Sequence, residues 1–212
     1  MNKTKIEYAD YTWNPIVGCK RGCPYCYARK IHQRFYPNIP FEQIVNYDER
    51  LEQPLKIKKP SRIFIGSMSD IEYWSPAQMN NVLEIIKQCP QHIFLFLTKN
   101  GSVYGNYDFP SNCWLGVSST GGEKYRFVLR RKYLNLIFLS LEPLLKEPTG
   151  LWFNSLIDWI IVGGLTPKPV HKAEWITNIL KTTDEFKIPV FIKDNAKYPI
   201  RRQEFPMPKE RR

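Results

Sequence analysis

The chain has 212 residues, a formal net charge of +11 and an isoelectric point near 9.4. That length suits one domain with a sizeable core, and 43% apolar with 14% aromatic residues excludes a disordered chain. No run of about 18 apolar residues is there to span a membrane, and MNKTKIEYADYTW lacks the apolar stretch of a secretory signal, so a reducing cytoplasm is the expected setting.

Short apolar runs recur along the chain: YTWNPIV (11–17), RIFIGS (62–67), HIFLFLT (92–98), CWLGVSS (113–119), NLIFLSL (135–141), DWIIVGG (158–164) and IPVFIKD (188–194). They are continuous rather than alternating, as parallel strands buried on both faces require. Ser75-Pro76 reads as an N-cap followed by a proline in the first helical turn, with Met79, Val82, Leu83 and Ile86 on one helical face. Ala173 to Thr182 reads as a second helix, with Trp175, Ile176, Ile179 and Leu180 on one side. Alternating strands and helices predict an α/β fold with a parallel sheet.

Six or seven such units fit an open doubly wound sheet or a partial barrel, since a full eight-unit barrel takes about 250 residues. Polar or small residues follow nearly every run: Ser67, Ser69 and Asp70; Thr98 and Lys99; Ser118 to Thr120; Ser140 and Glu142; Gly163 and Gly164; Lys193 and Asp194. Each alone is ordinary turn chemistry. Together they favour a partial (β/α)6-type TIM-like barrel over residues 1–196, with a basic tail at 197–212.

Directly after the first run comes GCKRGCPYCYA, with Cys19, Cys23 and Cys26 in C-x3-C-x2-C spacing. Such a loop can wrap three thiolates around one corner of a cuboidal cluster, and Gly18 and Gly22 supply the backbone freedom to do so. A [4Fe–4S] cluster on three cysteines leaves one iron open for an outside ligand. The alternative is zinc on these three and a fourth ligand such as His32, Cys89 or Cys113. Structural zinc usually shows two C-x2-C pairs, and no second pair exists, so spacing and position favour the cluster.

The charge is unevenly placed. Lys20, Arg21, Arg29, Lys30 and Arg34 surround the cysteines with no acid between them; Lys124 to Lys132 and Arg201 to Arg212 form two further basic groups. A generously basic surface is one reading, and a polyanionic partner such as DNA, RNA or a nucleotide is the sharper one.

Cys19, Cys23, Tyr25 and Cys26, in the pattern C-x3-C-x-aromatic-C, resemble the signature of the radical S-adenosylmethionine superfamily. The stretches TKIEYADYTWNPIVGC, CYA, GSMSD, FLTK, LGVSS, FLSLEPLL, WIIVGG and VFIKD more closely resemble a phage-associated three-cysteine family of unknown function, over roughly residues 4–195. The resemblance implies that the three cysteines ligate a [4Fe–4S] cluster in the loop after the first strand. It implies that its open iron binds S-adenosylmethionine, and that reduction by a donor such as a flavodoxin or ferredoxin yields a 5′-deoxyadenosyl radical. By position it assigns Tyr25 to the adenine, Ser67 and Ser69 to the methionine amino group, and Ser118 and Ser119 to ribose or carboxylate. Glu142 falls to a ribose hydroxyl or the substrate, and Gly163 and Gly164 to close approach of backbone to adenine. GSMSD does not spell out the superfamily's glycine-rich motif, and Leu165 stands where an acid often follows the paired glycines of the phage-associated family.

Plainer roles stand beside these. Cys89 and Cys113 read as packing residues, His32 as a surface residue on a short basic helix, and His92 and His171 have no visible partner. The tryptophans read as core, although Trp13 and Tyr27 are placed to shield a cluster. A carboxylate inside FLSLEPLL is costly unless paired or facing a cavity, so Glu142 is a candidate catalytic residue with Asp70 and Lys99. Asp70 could instead cap its own turn, and Lys99 or Lys193 could pair with Glu142, Asp70 or Asp194 or hold an anion. The expected function is a radical S-adenosylmethionine enzyme acting on an anionic substrate. The alternatives are a nucleic-acid-binding module with a structural metal, and a partner of a second protein.

Overall fold

Asn14-Pro15 cuts the first apolar run in two. Proline has no N–H to donate to a ladder, so β2 (Tyr11–Trp13) joins the main sheet, while β3 (Ile16–Val17) turns aside to pair with β4 (Val45–Asn46) in an antiparallel ribbon. The computed structural model describes residues 1–122, 135–148 and 157–207, and the chain divides into two compact units.

The first unit comprises residues 1–98 and 107–113. Here β1 (Asn2–Lys3) runs antiparallel to β2, and β2, β5 (Arg62–Ile65) and β6 (Ile93–Thr98) are parallel neighbours in an open row. The pairings Tyr11↔Ile63 and Ile63↔Phe94 set the register. Helix α1 (Tyr27–Phe35) follows the cysteine loop, and α2 (Pro76–Lys87) connects β5 to β6. The start of α2 agrees with the sequence: the Ser75 hydroxyl accepts the Gln78 amide, the Gln78 side chain accepts the Ser75 amide, and Pro76 occupies the first turn. Its buried face is Met79, Val82, Leu83, Ile85 and Ile86. Trp13 is fully buried, its ring 5.9 Å from that of Phe94.

The second unit comprises residues 99–106 and 114–212. From Trp114 onward, β7 (Cys113–Ser119) is followed in an open row by β8 (Leu136–Leu141), β9 (Trp159–Val162) and β10 (Val190–Ile192), all parallel. Every residue of β8, β9 and β10 is buried, which is why their runs are continuously apolar. Helix α3 (Ala173–Glu185) packs Ile176, Ile179 and Leu180 onto Leu139, Val162 and Val190. It runs a turn beyond the expected Thr182, because Thr183 is buried and continues the same face. Residues 202–204 run back beside β10, with the Ile192 amide on Arg202 O at 2.7 Å and the Glu204 amide on Val190 O at 2.9 Å, so part of the basic C-terminal segment completes this sheet.

The α/β class and the parallel pairing agree with the sequence reading. No helix among the described residues is long and apolar enough to cross a membrane.

Candidate functional site

In the first unit the cysteine loop is tied down at its entry. Gly18 takes φ +117°, its amide donates to Met68 O at 2.9 Å, and the Cys19 amide donates to Phe41 O at 2.8 Å. Gly22 takes φ +71°, turning the chain between the first two cysteines. Cys26 is the N-cap of α1, its sulfur accepting the Arg29 amide at 3.4 Å. Cys19 and Cys26 pack against Val17, Ala28 and Phe41, with Tyr47 and Met68 alongside. All five cysteines are free; Cys19, Cys23 and Cys26 are half-buried, whereas Cys89 and Cys113 are fully buried as expected of packing residues.

Burial pushes the Cys19 thiol up to about 11, a hydrogen bond from the Arg21 backbone opposes this, and the charges of Asp70, Cys26 and Cys23 add to it. Among the described residues, no group of three or more His, Cys, Asp or Glu side chains is arranged to hold a metal ion. The three sulfurs are outside any disulfide, partly open to solvent, and carried on one loop shaped by two glycines at positive φ.

The GSMSD loop lies against this one. Asn14, which the sequence reading missed, accepts the Ser67 hydroxyl at 3.1 Å and the Met68 amide at 3.2 Å, joining the end of β2 to the loop after β5. The Tyr27 hydroxyl donates to Ser67 O at 2.8 Å. Ser69 Oγ accepts the Trp74 indole N–H at 3.2 Å. Asp70 caps its turn by accepting the Glu72 amide at 3.0 Å, and it also accepts the Thr98 hydroxyl at 2.6 Å. Tyr25 is half-buried in the same loop as the cysteines.

The basic collar differs from the reading by sequence neighbours. Arg21 is ion-paired with Glu72 and Arg29 with Glu42, acids supplied from 51 and 13 residues away. His32 is buried rather than exposed: its Nε2 meets Ile39 O at 2.9 Å and its ring lies 5.2 Å from both Tyr36 and Phe41. His92 and His171 also have partners, the carbonyls of Ile57 and Ala196. Trp13 faces the sheet interior, its indole N–H on Arg50 O at 2.8 Å. The basic group at Lys124 to Lys132 lies outside the described residues.

The second unit gathers a different set of strand ends. Lys99 Nζ donates to Ser118 Oγ at 3.2 Å, and Ser118 donates to Glu142 O at 3.3 Å. Glu142 is ion-paired with Lys193, with side chains only 23% and 13% exposed. Gly163 makes room for that carboxylate, since a Cβ there would come within 2.8 Å of Glu142 Cδ. Ser119 is buried and accepts the Gly121 amide at 3.1 Å. The Asn195 side chain clasps Gly164 through both backbone groups, at 3.2 Å and 2.9 Å, so protein atoms occupy the space that glycine leaves. The only signal for Asn195 in the sequence was its place just after a strand end.

Glu142→Gln should lower stability by about 1–3 kcal/mol, because it strands a half-buried ammonium. Thermal unfolding of E142Q, K193M and the double variant checks this, and the double variant should lose less than the sum of the two.

No curated protein and no solved structure matches the chain. A protein family described as "Protein of unknown function (DUF5131)" matches residues 3–209, nearly the whole length, and the chain belongs to that family.

Proposed function

We propose that the chain is an iron–sulfur enzyme of the radical S-adenosylmethionine type, working in a reducing cytoplasm on an anionic substrate. The observation that carries this reading is the loop from Cys19 to Cys26, with three free, half-buried thiols while the other two cysteines are sealed in the core. A [4Fe–4S] cluster held there, with S-adenosylmethionine on its open iron, would supply radical chemistry: one electron from a flavodoxin or ferredoxin would split the cofactor into methionine and a 5′-deoxyadenosyl radical able to take a hydrogen atom from substrate. Cys19, Cys23 and Cys26 would hold the cluster, and Gly18 and Gly22 set the turns that aim them. Asn14 and Tyr27 keep the Ser67–Ser69 loop against the cysteine loop, which supports a cofactor role for those serines and for Tyr25.

The assignments of Ser118, Ser119, Gly163 and Gly164 to the cofactor rest on the resemblance. Within their own unit their neighbours are protein groups. The candidate substrate or proton-transfer roles of Glu142, Lys99 and Asp70 likewise belong to the reading; each is paired within its own unit, Glu142 with Lys193, Lys99 with Ser118 and Asp70 with Thr98. The chain-order rows of parallel strands in each unit support the partial (β/α) barrel that the reading implies.

Anaerobic reconstitution with iron and sulfide tests the proposal. A brown protein whose spectrum changes on adding S-adenosylmethionine, and which releases 5′-deoxyadenosine on reduction, is the expected result. A colourless zinc protein would sink the enzyme reading. A cluster indifferent to S-adenosylmethionine would leave the second reading, a nucleic-acid-binding or partner-binding module with a structural metal. That second reading is favoured by the exposed Lys20, Lys30 and Arg34.

A further inference from the structure

Helix α1 carries an apolar stripe on its solvent side. Tyr27, Ile31 and Phe35 stand four residues apart, so they stack along one face, and they are 54%, 43% and 66% exposed. Tyr36, just past the helix, is another 38% exposed. The row one residue further round, Ala28 and His32, is the buried one. Aromatic rings at this exposure are unusual on a surface that only meets water.

Cations border the stripe. Lys30 and Arg34 lie one helical position to its side, and Lys20 stands in the preceding loop; all three are exposed, and none has an acidic partner among the described residues. The neighbouring Arg29 is committed to Glu42 and the Phe41 ring, and Arg21 to Glu72. No acidic residue lies in the first turn of α1. Arg34 lies over the Phe35 ring, 5.7 Å from its centroid, and Tyr27 is anchored through its hydroxyl on Ser67 O, so cations and exposed ring surface stand side by side; they match a partner with both flat rings and negative charge. That combination belongs to single-stranded nucleic acid, whose unpaired bases stack on aromatics while phosphates meet lysine and arginine. A duplex offers the phosphates without the rings, and an acidic polypeptide offers charge with few aromatic planes.

We infer that α1 is a stacking platform for single-stranded nucleic acid, bound by Tyr27, Ile31 and Phe35 with Lys20, Lys30 and Arg34 on the phosphates. This deepens the proposed function by naming the class of anion at the cysteine loop, and it rests on that reading for its catalytic meaning only.

Fluorescence anisotropy of a labelled single strand of about 20 nucleotides, with the full chain across a salt series, tests it. Three phosphate contacts give a slope of about −2 in log affinity against log salt. Arg34→Glu and Lys30→Glu should weaken binding and flatten that slope. Phe35→Ala should weaken binding about five- to a hundredfold while leaving the slope unchanged, as loss of a stacked base does. Phe35 is mostly exposed, so F35A should melt with the wild type.

No saturable binding, an unaffected F35A, a duplex bound equally well, or displacement of the strand by polyglutamate at equal charge would each overturn the platform. The cluster is read separately, by iron content and 5′-deoxyadenosine. Cys23→Ala should lose the iron and keep the strand, so the two ideas fail independently.

Discussion

Cys23→Ala is expected to give a folded chain that holds no iron, whereas Cys89→Ala should reconstitute to about four irons per chain, the content of a [4Fe–4S] cluster. The contrast follows from where the two thiols sit. Cys23 is half-buried on a loop whose shape comes from Gly18, Gly22 and the cap at Cys26, none of which uses the Cys23 side chain. Removing its sulfur therefore leaves the packing intact and deletes one of three ligands. Cys89 is fully buried beyond the end of α2 and makes its structural contribution through its backbone, whose carbonyl accepts the Asn112 side chain at 3.1 Å. Its truncation should cost about 1 kcal/mol of packing and no iron. Iron and sulfide assays on both variants, beside a thermal melt, decide the matter. Equal loss of iron in both would make Cys89 a fourth ligand and close the open site on which the function depends.

Gly18→Ala should be the more damaging change to the fold. At φ +117° an L side chain is strained, and the added Cβ would be driven into the Gln43 carbonyl oxygen with Ile44 Cα at 3.1 Å. These are backbone atoms, which cannot swing aside as a long side chain can. Strain and overpacking together should cost about 2–5 kcal/mol, read as a fall in the urea midpoint with an unchanged slope. The same shift would pull the Gly18 amide from Met68 O and the Cys19 amide from Phe41 O, so the iron content of G18A should fall as well. A G18A chain as stable as wild type would mean that the entry to the cysteine loop is more yielding than its contacts imply.

Much of the fold is written in local patterns. The strands at 62–65, 93–98, 113–119, 136–141, 159–162 and 190–192 lie within the apolar runs, because a strand buried on both faces must be apolar throughout. Ser75 and Pro76 announce α2 because capping is decided within four residues. Pairings across long separations are not written locally. Glu72 and Glu42 reach Arg21 and Arg29 from other loops, His32 turns inward to Ile39 O, and Glu142 selects Lys193 from several candidate partners. The break at Asn14-Pro15 was visible as a proline inside an apolar run; its consequence, a second ribbon and an asparagine that binds the GSMSD loop, depended on where β4 and β5 came to lie.

The amino-acid sequence by itself determined the three-cysteine loop, the α/β class and the run of polar strand ends, since spacing and periodicity are properties of neighbouring residues. Only the tertiary structure decided which of the basic residues around the cysteines remain free to meet an anion. Charge pairing depends on distance in space, and the acids that neutralise Arg21 and Arg29, while leaving Lys20, Lys30 and Arg34 without an acidic partner among the described residues, are brought there by folding.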